Sequence, residues 1–464
     1  MRILEFISNR VMRLLATPKV VPLTVLFGLV CLLTSQAQTV QPSPVPKSAI
    51  PSQTTPLTLD DALRLANSQA SIFQSAAINE GIASQDVKQA QAAFLPKISA
   101  PLSYIYNTPA IGLPPGEPRA PSFIASDAIS AYEGLVNVSG DFDIAGKLRA
   151  TVARNKALLA AAHAGTEVAR RALAQAVIES YYGLALAVAQ RQAAEGNLVS
   201  AEEFEHTTSL LLSGGEVASV DLTRAQLQTL SRRDELERTR ANEEASAGAL
   251  RVLVGFEFTN PISTTDLTLA IPTHGEDRKF KASEISNRPE FIQFDQELLA
   301  AQQDIKIARA ERLPSLSYSI NGGFDSDSLK GPRLKEHSGV SAAISLTIPI
   351  FEWGVSRSKE TQARLRADLA KNERTMALRG FTQQFYAARA QTSSAENRID
   401  LARQGVTKAE SNLASSIARY RAGEAQIVEV TEAQKTLIEQ RSALYQAIFD
   451  YQVGLARLKQ STGH

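Results

Sequence analysis

Sulfur is scarce in this chain: of 464 residues one is cysteine and three are methionine. Cys31 is that single cysteine, so no disulfide framework and no thiolate metal site can be built. Met376 is the only methionine beyond the first dozen residues, which excludes a soft-metal thioether relay within the chain. Histidine is equally thin, and His163, His206, His274, His337 and His464 stand far apart with no ligand spacing. A net charge of +1 gives no electrostatic reason to bind nucleic acid. Aromatics make up only 6% of residues, and no Gly-rich phosphate loop or strained nucleophile turn follows a strand. The sequence therefore offers no catalytic constellation and no cofactor site; the chain reads as a non-enzyme.

Arg2, Arg10, Arg13 and Lys19 precede an apolar run from Val20 to Leu33, the layout of a secretory signal. The run is shorter than the roughly 18–20 apolar residues of a spanning helix. Ser35-Gln36-Ala37 places small residues where a signal peptidase reads, so residues 1–37 are expected to be a signal peptide and Gln38 the mature start. The alternative is lipidation at Cys31, against which stands Val30 where a small residue would be needed. A Pro-rich linker follows over 38–56.

What the chain has in abundance is repetition. Ser213-Gly214-Gly215-Glu216 aligns with Arg421-Ala422-Gly423-Glu424, and Ala225-Gln226 with Ala433-Gln434, both at an offset of 208. The same offset places Gly146 under Gly354, whereas Phe94-Leu95-Pro96 matches Arg312-Leu313-Pro314 at an offset of 218. The difference of ten falls in an extra Pro-rich loop around Ala110 to Ser122. Two structural repeats are thus expected, over 57–255 and 283–464, joined by a connector over 256–282 that carries Pro261, Pro272 and Gly275 and a small strand at Leu267 to Ile271.

Each copy opens with a helix, from about Thr58 to Phe94 and from about Ser283 to Arg312, with Thr58 and Asp61 placed as a capping box. A proline ends it, at Pro96 and Pro314, and period-two alternation begins. Leu316, Tyr318, Ile320 and Phe324 alternate with Ser315, Ser317, Ser319 and Asn321; Val340, Ala342, Ile344, Leu346 and Ile348 alternate with Ser341, Ser345 and Thr347. The first copy repeats this less cleanly from Ile98 to Tyr106 and from about Ile129 to Phe142. Tyr104, Tyr106, Tyr132, Tyr318 and Phe324 are candidates for aromatic girdles at a membrane interface, or express plain β-propensity. Long helical stretches follow, Lys147 to Leu211 and Arg357 to Arg421, each about 95–100 Å if continuous, then a Gly-containing turn and a second helix. Charges run through these helices, which places them outside lipid. In the second copy Leu378, Phe385, Thr392, Ile399, Val406, Leu413 and Tyr420 form one seam position, and alanines fill much of the other.

Four strands cannot close a membrane barrel alone, since known bacterial barrels begin at about eight. Open edges in lipid are not tolerated, so if the strands enter a membrane the barrel must be shared between chains, two giving eight strands and three giving twelve.

At these residues the chain resembles the TolC-like outer-membrane efflux protein family, the outer-membrane factors of tripartite pumps. The resemblance rests on the doubled order of elements and on Thr58-Leu59-Asp60-Asp61-Ala62-Leu63, Arg288-Pro289-Glu290, the two Leu-Pro pairs, and Arg419-Tyr420-x-x-Gly423 followed by Ala433-Gln434. It implies a mainly α protein with a membrane β-barrel part: a homotrimer with four strands per chain in a shared twelve-stranded barrel and a long α-helical barrel in the periplasm. It further implies a passive export duct in the outer membrane for small molecules (drugs, toxic compounds or metal ions), docked to a periplasmic adaptor and an inner-membrane transporter, with the outer-membrane duct of a type I protein secretion system as the alternative. The turns at Gly215, Glu216, Val217 and Gly423, Glu424, Ala425 would then be the periplasmic tips that meet the adaptor. Glu429 and Glu432, three apart on one helix face, with Asp221 as the first-copy counterpart of Glu429, would form a cation-attracting, pH-sensitive constriction; the plain alternative is a solvated helix face. Ala425 departs from relatives that carry a basic latch residue there.

Overall fold

The computed structural model describes residues 57–106, 130–265, 267 and 275–463. The expected signal peptide, the N-terminal linker, the Pro-rich loop and the connector strand beyond Leu267 lie outside the described residues.

The first expected helix is two. Helix α1 (Leu59–Ser68) is capped by Thr58, whose Oγ1 accepts from the Asp61 amide at 3.2 Å while its hydroxyl donates to the Asp61 carboxylate at 2.7 Å. Helix α2 (Ile72–Ala92) starts afresh because the Ser71 hydroxyl accepts from the Gln74 amide at 3.4 Å, offering the backbone a cap in place of a continuing helix. The first expected strand is likewise split, into β1 (Lys97–Ser99) and β2 (Leu102–Tyr106). Pro101 between them has no N–H for the ladder, although its carbonyl still accepts from Leu135 at 3.1 Å. The register passes the gap unchanged, since Ser99 faces Asn137 and Leu102 faces Gly134.

Strand β3 (Ser130–Phe142) leads through Gly146, at φ 77°, into α3 (Lys147–Ser213), and α4 (Ser219–Val254) returns beside it. Two 3-10 turns, Glu276–Lys279 and Ala282–Asn287, precede α5 (Pro289–Ala310). This helix begins six residues later than the expected Ser283, because Pro289 occupies the first helical position, where its missing N–H costs nothing. Strand β4 (Ser315–Ser326), the short helix α6 (Gly331–Glu336) and strand β5 (Ser338–Thr347) follow. Gly354, at φ 82°, then opens α7 (Val355–Arg421), and α8 (Ile427–Ser461) closes the described chain.

The long helices α3 and α7 have 67 residues each, so each is about 100 Å long. Helix α3 lies against α2, α4, α5 and α8, and α7 against α5 and α8. Two clusters hold this assembly at mid-height. Ala62, Leu173, Val177, Tyr181, Leu184, Leu250 and Val254 join α1, α3 and α4, and Ala185, Ala189, Ile399, Ile448 and Tyr451 join α3, α7 and α8. Helix α3 contains a stretch apolar enough by length and composition to cross a membrane, contrary to the expectation that charges run throughout. The stretch from Leu173 to Ala189 supplies residues to both clusters, so its apolar character is accounted for by packing inside the helical body.

Candidate functional site

The sheet is antiparallel throughout, in the order β1/β2, β3, β4, β5, and among the described residues each end of it is an unpaired edge. Opposed pairs such as Leu102 and Gly134, Val138 and Ile320, Leu316 and Leu346, and Tyr318 and Ile344 gather the apolar side chains on one face. The other face is hydroxyl- and amide-rich: Ser317 faces Asp141 and Ser345, and Asn137 donates to the Asn321 side chain across the central pair. Leu102 and Val340 on the apolar face are 77% and 79% exposed, a contiguous apolar surface of the kind that lipid or a partner covers.

Aromatic pairs bracket that face. Tyr104 stacks on Tyr132 at one end and Phe142 on Tyr318 at the other, each with ring centroids 5.0 Å apart. Tyr132 and Phe142 are ten residues apart on β3, which at about 3.3 Å per residue and a tilt of about 40° corresponds to a height of roughly 25 Å, the height of the apolar band of an outer-membrane barrel. Tyr106 and Phe324 lie on the same face beyond or near the first pair.

At the far end of the helices the two repeats end in matching turns. The Glu216 amide donates to Leu211 O at 2.9 Å and the Gly215 amide to Leu212 O at 3.0 Å; the Glu424 amide donates to Arg419 O at 2.9 Å and the Gly423 amide to Tyr420 O at 3.1 Å. This is the Schellman pattern, which needs a residue at positive φ, here Gly215 at 77° and Gly423 at 73°. Val217 and Ala425 do not project freely. They pack against Phe204, Tyr420, Ile427 and Val430, which tie the two turns into one cluster. Glu216 and Glu424 are exposed.

The three candidate constriction carboxylates differ in their surroundings. Asp221 and Glu429 are each the acidic residue of a helix's first turn, a placement the helix dipole favours in any case. Asp221 lies 3.7 Å from Arg224, and Glu429 forms a 2.9 Å ion pair with Arg419. Glu432 is exposed and, among the described residues, has no ion-pair partner within reach. It stands opposite the buried stripe of Ile427, Val430, Ala433, Gln434 and Leu437. Sequence reasoning missed Arg419 as a partner, although a basic residue ten positions before a helix-start glutamate, across a tight turn, is a readable signal.

The model of the family described as outer membrane efflux protein matches residues 62–256 and 282–464. Curated relatives include nodulation protein T of Rhizobium leguminosarum bv. trifolii, 23% identical, where the match covers 64% of this chain and 64% of the relative. The pyoverdine export outer membrane protein OpmQ of Pseudomonas aeruginosa is 24% identical, covering 73% of this chain and 70% of the relative. The first of these is thus matched over just under two thirds of its length. Among solved structures, the Campylobacter jejuni CmeC outer membrane channel superposes with a TM-score of 0.77 at 20% identity, over 87% of this chain and 85% of that one. VceC of Vibrio cholerae superposes with a TM-score of 0.75 at 20% identity, over 87% and 96%. The order of elements, the bracketed apolar sheet and the family match lead to one statement: the chain belongs to the outer membrane efflux protein family and has the TolC-like fold.

Proposed function

We propose that three copies of this chain form a passive export duct in the outer membrane, the channel component of a tripartite efflux system. The observation that carries this reading is the sheet: two edges unpaired among the described residues, one apolar face of bilayer height and one polar face. Backbone donors and acceptors at an open edge cannot be left in lipid, so the edges close on other copies and the polar faces line the lumen. Three copies supply twelve strand positions, with β1 and β2 counted as one strand broken at Pro101, in a barrel continued by the long helices into the periplasm.

The tips at Gly215, Glu216, Val217, Gly423, Glu424 and Ala425 then meet a periplasmic adaptor, and Glu429, Glu432 and Asp221 set the charge of the narrowed end. An inner-membrane transporter supplies the energy. The cargo class is small molecules or ions, in keeping with relatives named for pyoverdine export and for cation efflux. Native mass spectrometry in detergent, followed by recording in planar bilayers, tests the reading. Three chains per particle and a stable conductance are expected. A folded monomer in the membrane, or a trimer that conducts nothing under any condition, would overturn it.

A further inference from the structure

The internal repeat specifies how one copy meets the next, residue by residue. Within the first repeat Tyr104 faces Tyr132. Moving the first strand by 218 and the second by 208, the offsets of Pro96 to Pro314 and Gly146 to Gly354, lands on Gly322 and Val340, which are themselves partners. Lys97 and Ser139 map in the same way onto Ser315 and Thr347, again partners. The two repeats therefore share one internal register.

The seam between the repeats has its own rule. Asn137 faces Asn321 and Phe142 faces Leu316, so partner numbers add to 458. The helices keep this rule: Lys147 pairs with Glu311 at 3.1 Å and Arg154 with Asp304 at 2.7 Å, and a Cβ on Gly165 would meet Gln293 at 3.8 Å. One constant thus describes the first-to-second-repeat seam from the sheet down into the helices.

We infer that the seam between copies is the same seam, formed by the second repeat of one chain and the first repeat of the next, with partner numbers adding to 448 (458 plus 208 minus 218). This rests on the trimeric reading above and deepens it. Ser345 then faces Ser103 of the next copy, the counterpart of Asn137 and Asn321, and Leu346 faces Leu102.

The exposed side chains of the single chain fit this rule. Ala157 and Ala161 lie at helical spacing from Arg154 on the α3 stripe turned to α5, and they are 3% and 5% exposed. Their counterparts on α7, Leu365 and Leu369, are 63% and 56% exposed, as a stripe awaiting a partner would be. The rule sets them opposite Ala83 and Asn79 of the next copy's α2, each adjoining an exposed isoleucine, Ile82 and Ile78, and sets Met376 opposite Ile72, both exposed as well. Trp353, the chain's one tryptophan, is 88% exposed and held at φ 50°. Its counterpart Ala145 shares a cleft with Leu313, so Trp353 lies against Leu95 of the next copy. The lysine and arginine pairs of the internal seam have no counterparts, because Val355, Gln362, Ala93 and Asp86 occupy those positions. At those two positions the seam between copies therefore carries no ion pair: Val355 meets Ala93 and Gln362 meets Asp86.

Cysteine cross-linking of the full chain, exported and purified in detergent, tests the register. Directly opposed strand residues have Cβ atoms about 4.5–5.5 Å apart, within reach of a disulfide after small adjustments, whereas a four-residue shift moves them roughly 13 Å. Ser103→Cys with Ser345→Cys, and separately Ile72→Cys with Met376→Cys, are expected to shift the band from monomer to covalent dimer and trimer under mild oxidation. Ser103→Cys with Ser341→Cys, and each single variant, are expected to stay monomeric on denaturing gels. A trimer by native mass spectrometry in which the shifted pair links and the matched pairs do not overturns the register and leaves the duct standing. A monomer by that measurement overturns both.

Discussion

Arg419 and Glu429 close the second turn upon itself. The guanidinium lies 2.9 Å from the Glu429 carboxylate and donates to the Glu424 carbonyl at 3.3 Å, bridging the end of α7, the turn and the start of α8. The first repeat has no such brace, because the residue 208 positions before Arg419 is Leu211. The turns share a backbone conformation and differ in what holds it.

That difference is open to proteolysis. Both turns expose a glutamate, Glu216 and Glu424, to a glutamyl endopeptidase. The braced second turn is expected to be cut more slowly, and Arg419→Ala is expected to bring the two rates together. The global unfolding temperature should barely move, since an exposed ion pair is worth only about 0.2–1 kcal/mol. Equal cleavage of the two turns in the parent chain would show that the brace does not restrain the backbone.

Glycines at positive φ separate conformational cost from steric cost. A Cβ at Gly423, φ 73°, would meet nothing within 4 Å, so Gly423→Ala should cost only the left-handed backbone, about 1–2 kcal/mol. At Gly323 in β4 a Cβ would sit 2.0 Å from the Gly134 carbonyl oxygen of the neighbouring strand. Gly323→Ala is therefore expected to break the central strand pair and abolish the assembled trimer, whereas Gly423→Ala leaves it folded. Denaturing gels of unheated samples, scoring the trimer band, distinguish the two.

Where the helices meet the sheet, Glu360 of α7 is held by Arg309 at 2.8 Å, Arg364 at 2.7 Å and Arg312 at 3.2 Å. Hydrogen bonds from Arg309 and Arg364 pull its carboxyl from the ordinary 4.5 down to about 2. A carboxylate depressed on folding stabilises the folded chain above its unfolded value and loses that contribution as pH falls through the folded value. Between about pH 4.5 and 2 the parent should lose stability more steeply than Glu360→Gln. Parallel acid denaturation curves of the two would show that Glu360 does not couple folding to protons.

Much of this was legible in the sequence, and the reason is the repeat. The offset of 208 fixes α7 against α3 and both Schellman turns, because long helices and positive-φ glycines leave periodic and local marks. Arg288-Pro289-Glu290 also has a physical content: Pro289 starts α5, while Arg288 lies 3.8 Å over the Phe381 ring and pairs with Glu290 at 2.5 Å. What escaped the pattern was set by single side chains acting locally. Ser71 restarts a helix that periodicity would run through, Pro101 removes one ladder donor without shifting the register, and Arg419 offsets a carboxylate that spacing alone leaves free. The apolar stretch of α3 misleads in the opposite way, because burial on several sides and burial in lipid write the same composition.

The last expectation concerns the throat, where the ion pair changes what the sequence alone implies. If Glu429 and Glu432 face the lumen, three chains bring six carboxylates to the narrowed end, and the potential they set attracts cations. Arg419, 2.9 Å from Glu429, offsets that carboxylate within its own chain, and Arg224 at 3.7 Å does the same more weakly for Asp221. Glu432 carries the uncompensated charge. In a salt gradient across a planar bilayer, Glu432→Gln is therefore expected to move the reversal potential toward zero further than Glu429→Gln or Asp221→Asn. The Glu429→Gln, Glu432→Gln double variant should lose most of the cation preference, and Arg419→Ala should increase it. All five should remain trimeric, because exposed charge substitutions usually change stability by only about half a kcal/mol. An unchanged reversal potential in the double variant would mean that both carboxylates point away from the pore. A larger effect of Glu429→Gln than of Glu432→Gln would mean that the Arg419 pair opens in the assembled channel.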